Sequence, residues 1–321
     1  MPSSISSSEG RIALHLLLRI AAFALLVLCA LVLGWLAGVP GTRVDYLGAL
    51  RAKEQRLAAL GSPKLVVVGG SHAAFSIDSR ELERATCNPV VNMGVHASLG
   101  SRFMAEEVIG HLGEGDLVVV VPEYTLFDRE EAIDDVLYQA VDRYPPALRH
   151  MAWWQRPKVG ASALVMRWRA LVRRATRRES PSADSVYRMS GFNERGDLIS
   201  HLGMPRKADA EMKHAAVSGE LSPDFMQAIN RLRAAAEATG ARVVLTWPGV
   251  AASVYPAEKA DMLHQALKAE GIEVIGDPVA CSVPDSLTFD TPYHLSAEGR
   301  RLRTSRLIND LRAAGVECDE P

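Results

Sequence analysis

The sequence is short of cysteine, and its charges nearly balance. Four cysteines in 321 residues are too few and too scattered for a disulfide framework, although one bridge is open to the chain in an oxidising compartment. No two of them have the spacing of metal ligands, so we predict neither a metal site nor a cofactor. A formal net charge of −2 gives no indication of nucleic-acid binding.

Charge is absent from residues 20–39, IAAFALLVLCALVLGWLAGV, a run long enough to cross a bilayer as one helix. The run is longer than the apolar part of a typical signal peptide and ends without a small-residue cleavage site, which favours an uncleaved anchor. Arg11 and Arg19 before the span favour a cytoplasmic tail at residues 1–19, although Arg43 and further cations follow the span. We predict a single-pass protein whose main domain is extracytoplasmic.

Acidic residues are absent from residues 143–178, which contain ten Lys or Arg together with Trp153, Trp154 and Trp168. This stretch lies within a predicted insertion at 128–213. Three interpretations stay open: a solvated helix whose tryptophans pack on the domain, a helix lying against anionic headgroups, or the wall of a groove for an anionic polymer.

Short apolar runs alternate with helical patterns after a juxtamembrane helix or linker at residues 40–63. Buried strands that alternate with helices indicate a parallel sheet covered on both faces, that is, a three-layer α/β domain. We assign residues 64–127 to the first part of this domain and 214–321 to the second. The predicted strands are 65–68, 90–92, 117–121, 243–246 and 273–275. The predicted helices are 44–60, 79–84, 102–112, 223–239, 257–269 and 297–314.

Polar residues follow these strands where a parallel sheet binds ligands, at the carboxyl ends. The first strand runs into GGSH at 69–72, and FDTPYHLSAEG at 289–299 precedes the last helix. A serine hydroxyl becomes nucleophilic when a histidine held by a carboxylate takes its proton, and Ser71, His294 and Asp290 supply these groups. The alternative for Ser71 is a helix N-cap. The GGS turn lacks both common nucleotide-binding glycine patterns, so a nucleotide loop is not favoured.

A family resemblance joins these segments. GGSH at 69–72, the glycine of NMGV at position 94, and DTPYHL at 290–295 resemble the first, second and last blocks of the SGNH (GDSL-like) hydrolase superfamily. The resemblance implies a flavodoxin-like α/β/α fold with a five-stranded parallel sheet, preceded here by the anchor. It also implies catalytic roles for the serine, aspartate and histidine.

The oxyanion hole departs from the family pattern. Backbone N–H groups of Ser71 and Gly94 are the first candidate donors. The family's third block normally adds an asparagine, but this sequence has PEYTLF at 122–127, so Asn92 on the neighbouring loop is the candidate replacement. Asp290 also stands four residues before His294, where the family spacing is three.

Further residues border the predicted site. His72, Glu123 and Tyr124 are candidate substrate-binding residues, with a cap or an ion pair as the alternative for Glu123. His72 and His96 have no nearby carboxylate to orient them, so support of the turns is the favoured role for both. The segment FNERGD at 192–197 predicts a hairpin or loop at the edge of the cleft.

Membrane-anchored proteins of this kind modify bacterial envelope polymers, and the layout resembles theirs. The resemblance implies an O-acetyltransferase or esterase acting on a cell-envelope or exported polysaccharide, at the inner membrane, with its main domain in the periplasm. By analogy it implies a membrane-bound O-acyltransferase as partner. The alternatives are a non-catalytic protein that binds glycan or assembles an export complex, and a simple envelope esterase.

Overall fold

The computed structural model describes residues 7–37, 45–130, 133–176, 185–207, 210, 212–213 and 216–318. Parts of the predicted segments lie outside the described residues. These are residues 1–6 of the tail, 38–39 of the anchor, 40–44 of the linker, 131–132, 177–184, 208–209 and 211 of the insertion, and 214–215 and 319–321 of the second part.

Helices and short strands alternate along the chain. The helices are α1 (Ser7–Ala37), α2 (Ala49–Ala59), α3 (Ser71–Ser76), α4 (Ser79–Thr86), α5 (Ser101–Ile109), α6 (Tyr124–Phe127), α7 (Asp135–Arg143), α8 (Arg156–Ala175), α9 (Pro223–Thr239), α10 (Ala257–Ala269) and α11 (Ala297–Ala313). The strands are β1 (Leu65–Gly69), β2 (Val90–Asn92), β3 (Leu117–Val121), β4 (Arg242–Leu245), β5 (Val250–Ala251) and β6 (Ser282–Val283).

The main sheet has four parallel strands in the order β2-β1-β3-β4. Its apolar, β-branched strands are buried along their length at β1 and β3, as expected for a sheet covered on both faces. The structure thus confirms a mixed α/β fold with a parallel sheet.

The fifth predicted strand, at 273–275, does not form. Val274 makes one isolated parallel bridge to Leu245. Two backbone hydrogen bonds flank this bridge, from the Leu245 N–H to Glu273 O and from the Ile275 N–H to Leu245 O, both at 2.8 Å. Gly276, with a φ of +76°, follows directly, so the pairing is limited to this short segment between α10 and the glycine. A second, two-stranded parallel sheet formed by β5 and β6 was not predicted, because two-residue strands are too short to show a period.

Alternate strand residues face two separate cores. Val66 and Val68 of β1 pack with residues of α5 and α9, whereas Leu65 and Val67 pack with residues of α4 and α11. Both cores are closed by helices, so the strand ends are left as the accessible polar edge of the sheet.

The N-terminal helix α1 includes Gly10–Leu36, whose 27 residues are apolar and long enough to cross a membrane; no other described helix has this character. At about 1.5 Å per residue this stretch is roughly 40 Å long, more than the hydrocarbon thickness of a bilayer. Its large apolar side chains are exposed, as for a helix whose surroundings are lipid.

A disulfide joins Cys87, at the end of α4, to Cys318 beyond α11, with the Cα atoms 5.1 Å apart. The sequence left one such bridge open without assigning it. The bridge fixes the C-terminal segment beside the main sheet, whereas Cys29 and Cys281 are free.

Candidate active site

Three strand ends bring functional groups to one edge of the main sheet. Because β1, β2 and β3 are parallel, Ser71, Gly94 and Glu123 follow their strands at the same edge, each two residues beyond the strand. β1 lies between β2 and β3, so the chain departs from β1 toward both sides of the sheet. Open parallel sheets bind ligands at such a switch point.

Ser71, His294 and Asp290 form one hydrogen-bonded line. Ser71 Oγ lies 2.9 Å from His294 Nε2, and His294 Nδ1 lies 2.9 Å from Asp290 Oδ1. A turn accommodates the four-residue spacing, since the His294 N–H donates to Thr291 Oγ1 at 3.2 Å. With Nδ1 protonated toward the carboxylate, Nε2 is free to accept the serine proton.

Asp290 is held by two further side chains from the predicted insertion. The Tyr187 hydroxyl donates to Asp290 Oδ2 at 2.7 Å, and Lys207 Nζ lies 3.5 Å from the same oxygen. Burial alone would raise the pKa of the Asp290 carboxyl, but the hydrogen bond and charge of His294, the bond from Tyr187 and the charge of Lys207 together lower it. The carboxylate therefore stays ionised to stabilise an imidazolium.

The imidazole is also fixed by an aromatic ring. Phe75 stacks on His294 with ring centroids 3.7 Å apart and planes inclined by 5°. Phe75 lies four residues after Ser71 in α3, so one short helix presents both the nucleophile and the ring that supports its base. Histidine rotation, which would break the line to Ser71, is limited by this packing.

Glu123 places a carboxylate beside Ser71. Its Oε1 accepts from Ser71 Oγ at 3.2 Å and from the His72 N–H at 3.0 Å. Gly70 leaves no free space beside the serine, since a Cβ on it would lie 2.7 Å from Glu123 Oε1 and 2.9 Å from the Ala97 backbone. The carboxylate and this backbone occupy that space.

The predicted oxyanion donors differ in availability. Within the described part of the chain, the Ser71 N–H donates to no protein group. The Gly94 N–H donates to Asn92 Oδ1 at 3.0 Å. Asn92 itself is fully buried and its amide donates to Ala73 O and Asp197 Oδ1 at 2.8 and 3.0 Å. The structure corrects the expectation that Asn92 supplies the missing donor, because its amide is already committed to the support of α3.

Comparison with known proteins does not assign this site to a family. No protein family model matches the chain, and no curated protein matches its sequence. The resemblance drawn from short sequence blocks therefore stays a prediction.

Two of the weaker substrate-contacting candidates are placed elsewhere. His72 is fully buried: Nε2 accepts from the Gly249 N–H at 3.1 Å and Nδ1 lies 3.1 Å from Tyr293 O. Burial lowers the pKa of His72 to about 3, so the ring is neutral and joins two loops. Tyr124 is also fully buried, stacked near Trp247. Neither side chain faces a substrate, because both complete the core below the site.

His96 supports the turn that contains it, as the sequence predicted. Its Nδ1 accepts from the Ser98 N–H at 3.1 Å, which caps the turn after β2. Burial lowers the pKa of His96, so a neutral ring is favoured there.

The loops beside the serine are held by a buried lysine and a buried aspartate. Lys53 of α2 donates to the carbonyl oxygens of Asn92, Gly94 and Gly196 at 2.5–2.7 Å. Asp197, in the predicted turn at 192–197, is fully buried. It accepts hydrogen bonds from Asn92, Asn193, Arg300 and both the N–H and hydroxyl of Ser79. The turn is therefore part of the framework of the site.

Sequence patterns did not reveal several of these supporting residues. The four-residue spacing between Ser71 and Phe75 is a signal that identifies Phe75 once α3 is known. Tyr187 and Lys207 carry no such signal, because both lie in irregular segments. Among the described residues, no three His, Cys, Asp or Glu side chains converge to ligate a metal ion. The grouped side chains are instead suited to proton transfer and nucleophilic attack.

Proposed function

We propose that the chain is a membrane-anchored, SGNH-like serine acyl-transfer enzyme that forms an acyl-Ser71 intermediate. The single observation that carries this proposal is the line from Ser71 Oγ through His294 to Asp290, with both distances at 2.9 Å. A base within hydrogen-bond reach of the nucleophile, itself oriented by a carboxylate, is the geometric signature of an activated serine.

The reaction proceeds in two proton-balanced steps. Ser71 Oγ attacks the carbonyl carbon of an ester while His294 Nε2 takes its proton. His294 then returns that proton to the departing alkoxide oxygen as the bond to it breaks. In the second step the oxygen of an acceptor hydroxyl or of water attacks the acyl carbon while His294 takes its proton, and His294 returns that proton to Ser71 Oγ as the acyl–Ser71 bond breaks. The Ser71 N–H is the available donor for the developing oxyanion.

The SGNH-like assignment is supported by order and placement along the chain. The strand order β2-β1-β3-β4 agrees with the flavodoxin-like arrangement. The nucleophile follows β1, and the aspartate and histidine precede α11. A sheet of four strands, with residues 273–275 bridging its edge, is a reduced version of the expected five.

An extracytoplasmic location is supported by two independent features. The α1 helix has the length and composition of a membrane anchor. The disulfide between Cys87 and Cys318 belongs to an oxidising compartment, which excludes the bacterial cytoplasm for most proteins. We therefore place the domain in the periplasm at the inner membrane. We propose an envelope or exported polysaccharide as acceptor, with a membrane-bound O-acyltransferase as donor partner by analogy.

An activity-based fluorophosphonate probe tests the proposal directly. We expect the full-length protein to be labelled, and Ser71→Ala and His294→Gln to lose labelling while retaining the circular dichroism of the parent. Ser98→Ala, which changes a serine on a neighbouring loop, is the matched control and should label normally. Equal labelling of Ser71→Ala, or no labelling of the folded parent, would exclude an activated serine.

A second function is favoured by a specific observation, the carboxylate of Glu123 beside Ser71. The backbone N–H groups of Gly94 and His72 are bonded to protein acceptors. Of these three backbone N–H groups, the Ser71 N–H alone is available to an oxyanion. A non-catalytic protein that binds glycan or assembles an export complex would tolerate this arrangement. Glycan binding that is equal in the parent and Ser71→Ala, with no esterase activity in either, would establish this alternative.

A further inference from the structure

The basic helix α8 has three distinct sides. Its first side packs on the domain, through Val159, Ala163 and the buried Arg167. The second side contacts the end of α1. The third side is exposed and is formed by residues at helical spacing, which are Lys158, Ala161, Val165, Arg169 and Val172. The domain thus leaves one complete face of α8 uncovered.

The second side joins α8 to the outer end of the predicted anchor. The indole of Trp168 fills the position that a Cβ on Gly34 would occupy, so the two helices approach closely there. The Arg167 guanidinium lies 3.9 Å from the ring centre of Trp35 and donates to Trp35 O at 3.1 Å. These contacts fall in the last turns of α1. The crossing is therefore at the level where the span leaves the hydrocarbon region.

Arg167 is the structural cation of the helix, and the exposed cations differ from it. Arg167 is buried and bonded to Asp142 Oδ1 at 3.0 Å. In contrast, no described carboxylate lies within ion-pair distance of Lys158, Arg169 or Arg173, and all three are exposed. The exposed face of α8 therefore has uncompensated positive charge interleaved with valine.

Two exposed tryptophans extend this surface. Trp153 and Trp154 lie in the turn before α8 and are 78% and 52% exposed. At about 1.5 Å per residue, they are roughly 20 Å along the helix from the crossing at Trp168. Indole rings and cations on one exposed surface match the headgroup boundary of an anionic bilayer. The expectation that these two tryptophans pack on the domain is not met, whereas Trp168 packs on α1.

We propose that the exposed face of α8, with Trp153 and Trp154, binds the anionic phospholipid headgroups of the bilayer that α1 enters. The domain covers one side of α8 and α1 contacts a second, so the third side is the one left to contact a bilayer. This contact holds the domain against the membrane and fixes the direction in which the Ser71 site opens. It rests on the proposed membrane insertion of α1 but does not depend on any catalytic activity.

Lipid quenching of tryptophan fluorescence tests this surface in the full-length protein. The protein is placed in nanodiscs of brominated phosphatidylcholine, with or without 30% phosphatidylglycerol. With the anionic lipid we expect greater quenching in the parent than in Trp153→Phe/Trp154→Phe, and we expect the difference to fall at least twofold without it. Arg169→Gln/Arg173→Gln should reduce the difference similarly. Arg301→Gln/Arg312→Gln, which removes two exposed arginines from α11, should not.

Equal quenching of the parent and Trp153→Phe/Trp154→Phe in anionic discs would overturn the proposal. Protection of these tryptophans from aqueous acrylamide by polygalacturonate, without lipid quenching, would assign the surface to an anionic polymer instead. Extraction of the parent from membranes by alkaline carbonate would show that α1 is not inserted. Fluorophosphonate labelling of the same samples reports the Ser71 site separately, so failure of the membrane contact and failure of the proposed enzyme are distinguishable.

Discussion

Glu123→Gln tests whether the carboxylate beside Ser71 opposes the proposed reaction. In the structure the Glu123 Oε1 atom accepts from Ser71 Oγ and the His72 N–H, so it lies beside the atom that must attack. Glutamine keeps the shape of the side chain and an acceptor oxygen for both bonds. It removes the negative charge and adds an N–H₂ donor.

The magnitude follows from the distance between two negative charges. The oxyanion of the tetrahedral intermediate forms beside Ser71 Oγ, about 5 Å from the carboxylate, and at an effective dielectric of about 20 the repulsion is about 3 kcal/mol. The same carboxylate attracts the imidazolium of His294. That attraction offsets part of the repulsion. We expect Glu123→Gln to accelerate acylation about 10- to 100-fold, since each tenfold requires about 1.4 kcal/mol.

The assay is kcat/KM for hydrolysis of p-nitrophenyl acetate by the full-length protein, with the rate of fluorophosphonate labelling as a second measure. Glu273→Gln is the matched control, because Glu273 pairs with Arg242 at the amino end of β4, away from the site. An unchanged rate in Glu123→Gln would show that the charge does not oppose the oxyanion. A reduced rate would refute the reasoning and assign Glu123 a positive part in the reaction, such as orienting the Ser71 hydroxyl.

Three further predictions concern stability. Burial lowers the pKa of His72 from 6.5 in the unfolded chain to about 3 in the folded one, so the unfolded state binds more protons between these values. The free energy of unfolding therefore decreases as the pH is lowered below 6.5. In urea unfolding, the parent should lose about 2 kcal/mol more than His72→Gln between pH 7 and pH 5. Lys53→Met leaves three buried carbonyl oxygens without their donor and should cost about 3 kcal/mol or more in the same measurement, whereas Lys53→Arg should cost less. Cys87→Ser/Cys318→Ser should cost about 3 kcal/mol, and reductant should destabilise the parent but not this variant. A parent whose stability does not change between pH 7 and pH 5 would contradict the first argument. A Lys53→Met variant as stable as the parent would contradict the second, and a parent that reductant does not destabilise would contradict the third.

The periodic elements of the fold could be predicted from sequence because burial imposes their patterns. The continuous apolar run before Gly69 indicated β1, and the capping serine Ser222 with a proline behind it marks the start of α9. The pairing of residues 273–275 could not be predicted in the same way. Three residues are too few to show a period, so their single bridge to β4 depends on tertiary contacts that the sequence does not reveal.

The triad geometry and its support were predictable to different degrees. Ser71, Asp290 and His294 were identified because strand ends and the last helix fix where such residues meet. The role of Asn92 was predicted from proximity alone, and the structure shows a buried amide bonded to Asp197 instead. Contacts of this kind depend on side-chain direction and on irregular segments such as 185–207, for which sequence periodicity contains no information.

The buried carboxylate of Asp197 has a consequence for the order of folding. It is bonded to Ser79, Asn92 and Arg300, which join the first third of the chain to its last helix. Closing contacts between residues so far apart in sequence is slow, because loop entropy is lost before the contacts form. A chain still in synthesis has Ser71 but neither His294 nor the arginine that neutralises Asp197. In the enzyme that we propose, Ser71 therefore stays inert on any chain that lacks the last helix, and reactivity arises only when that helix docks.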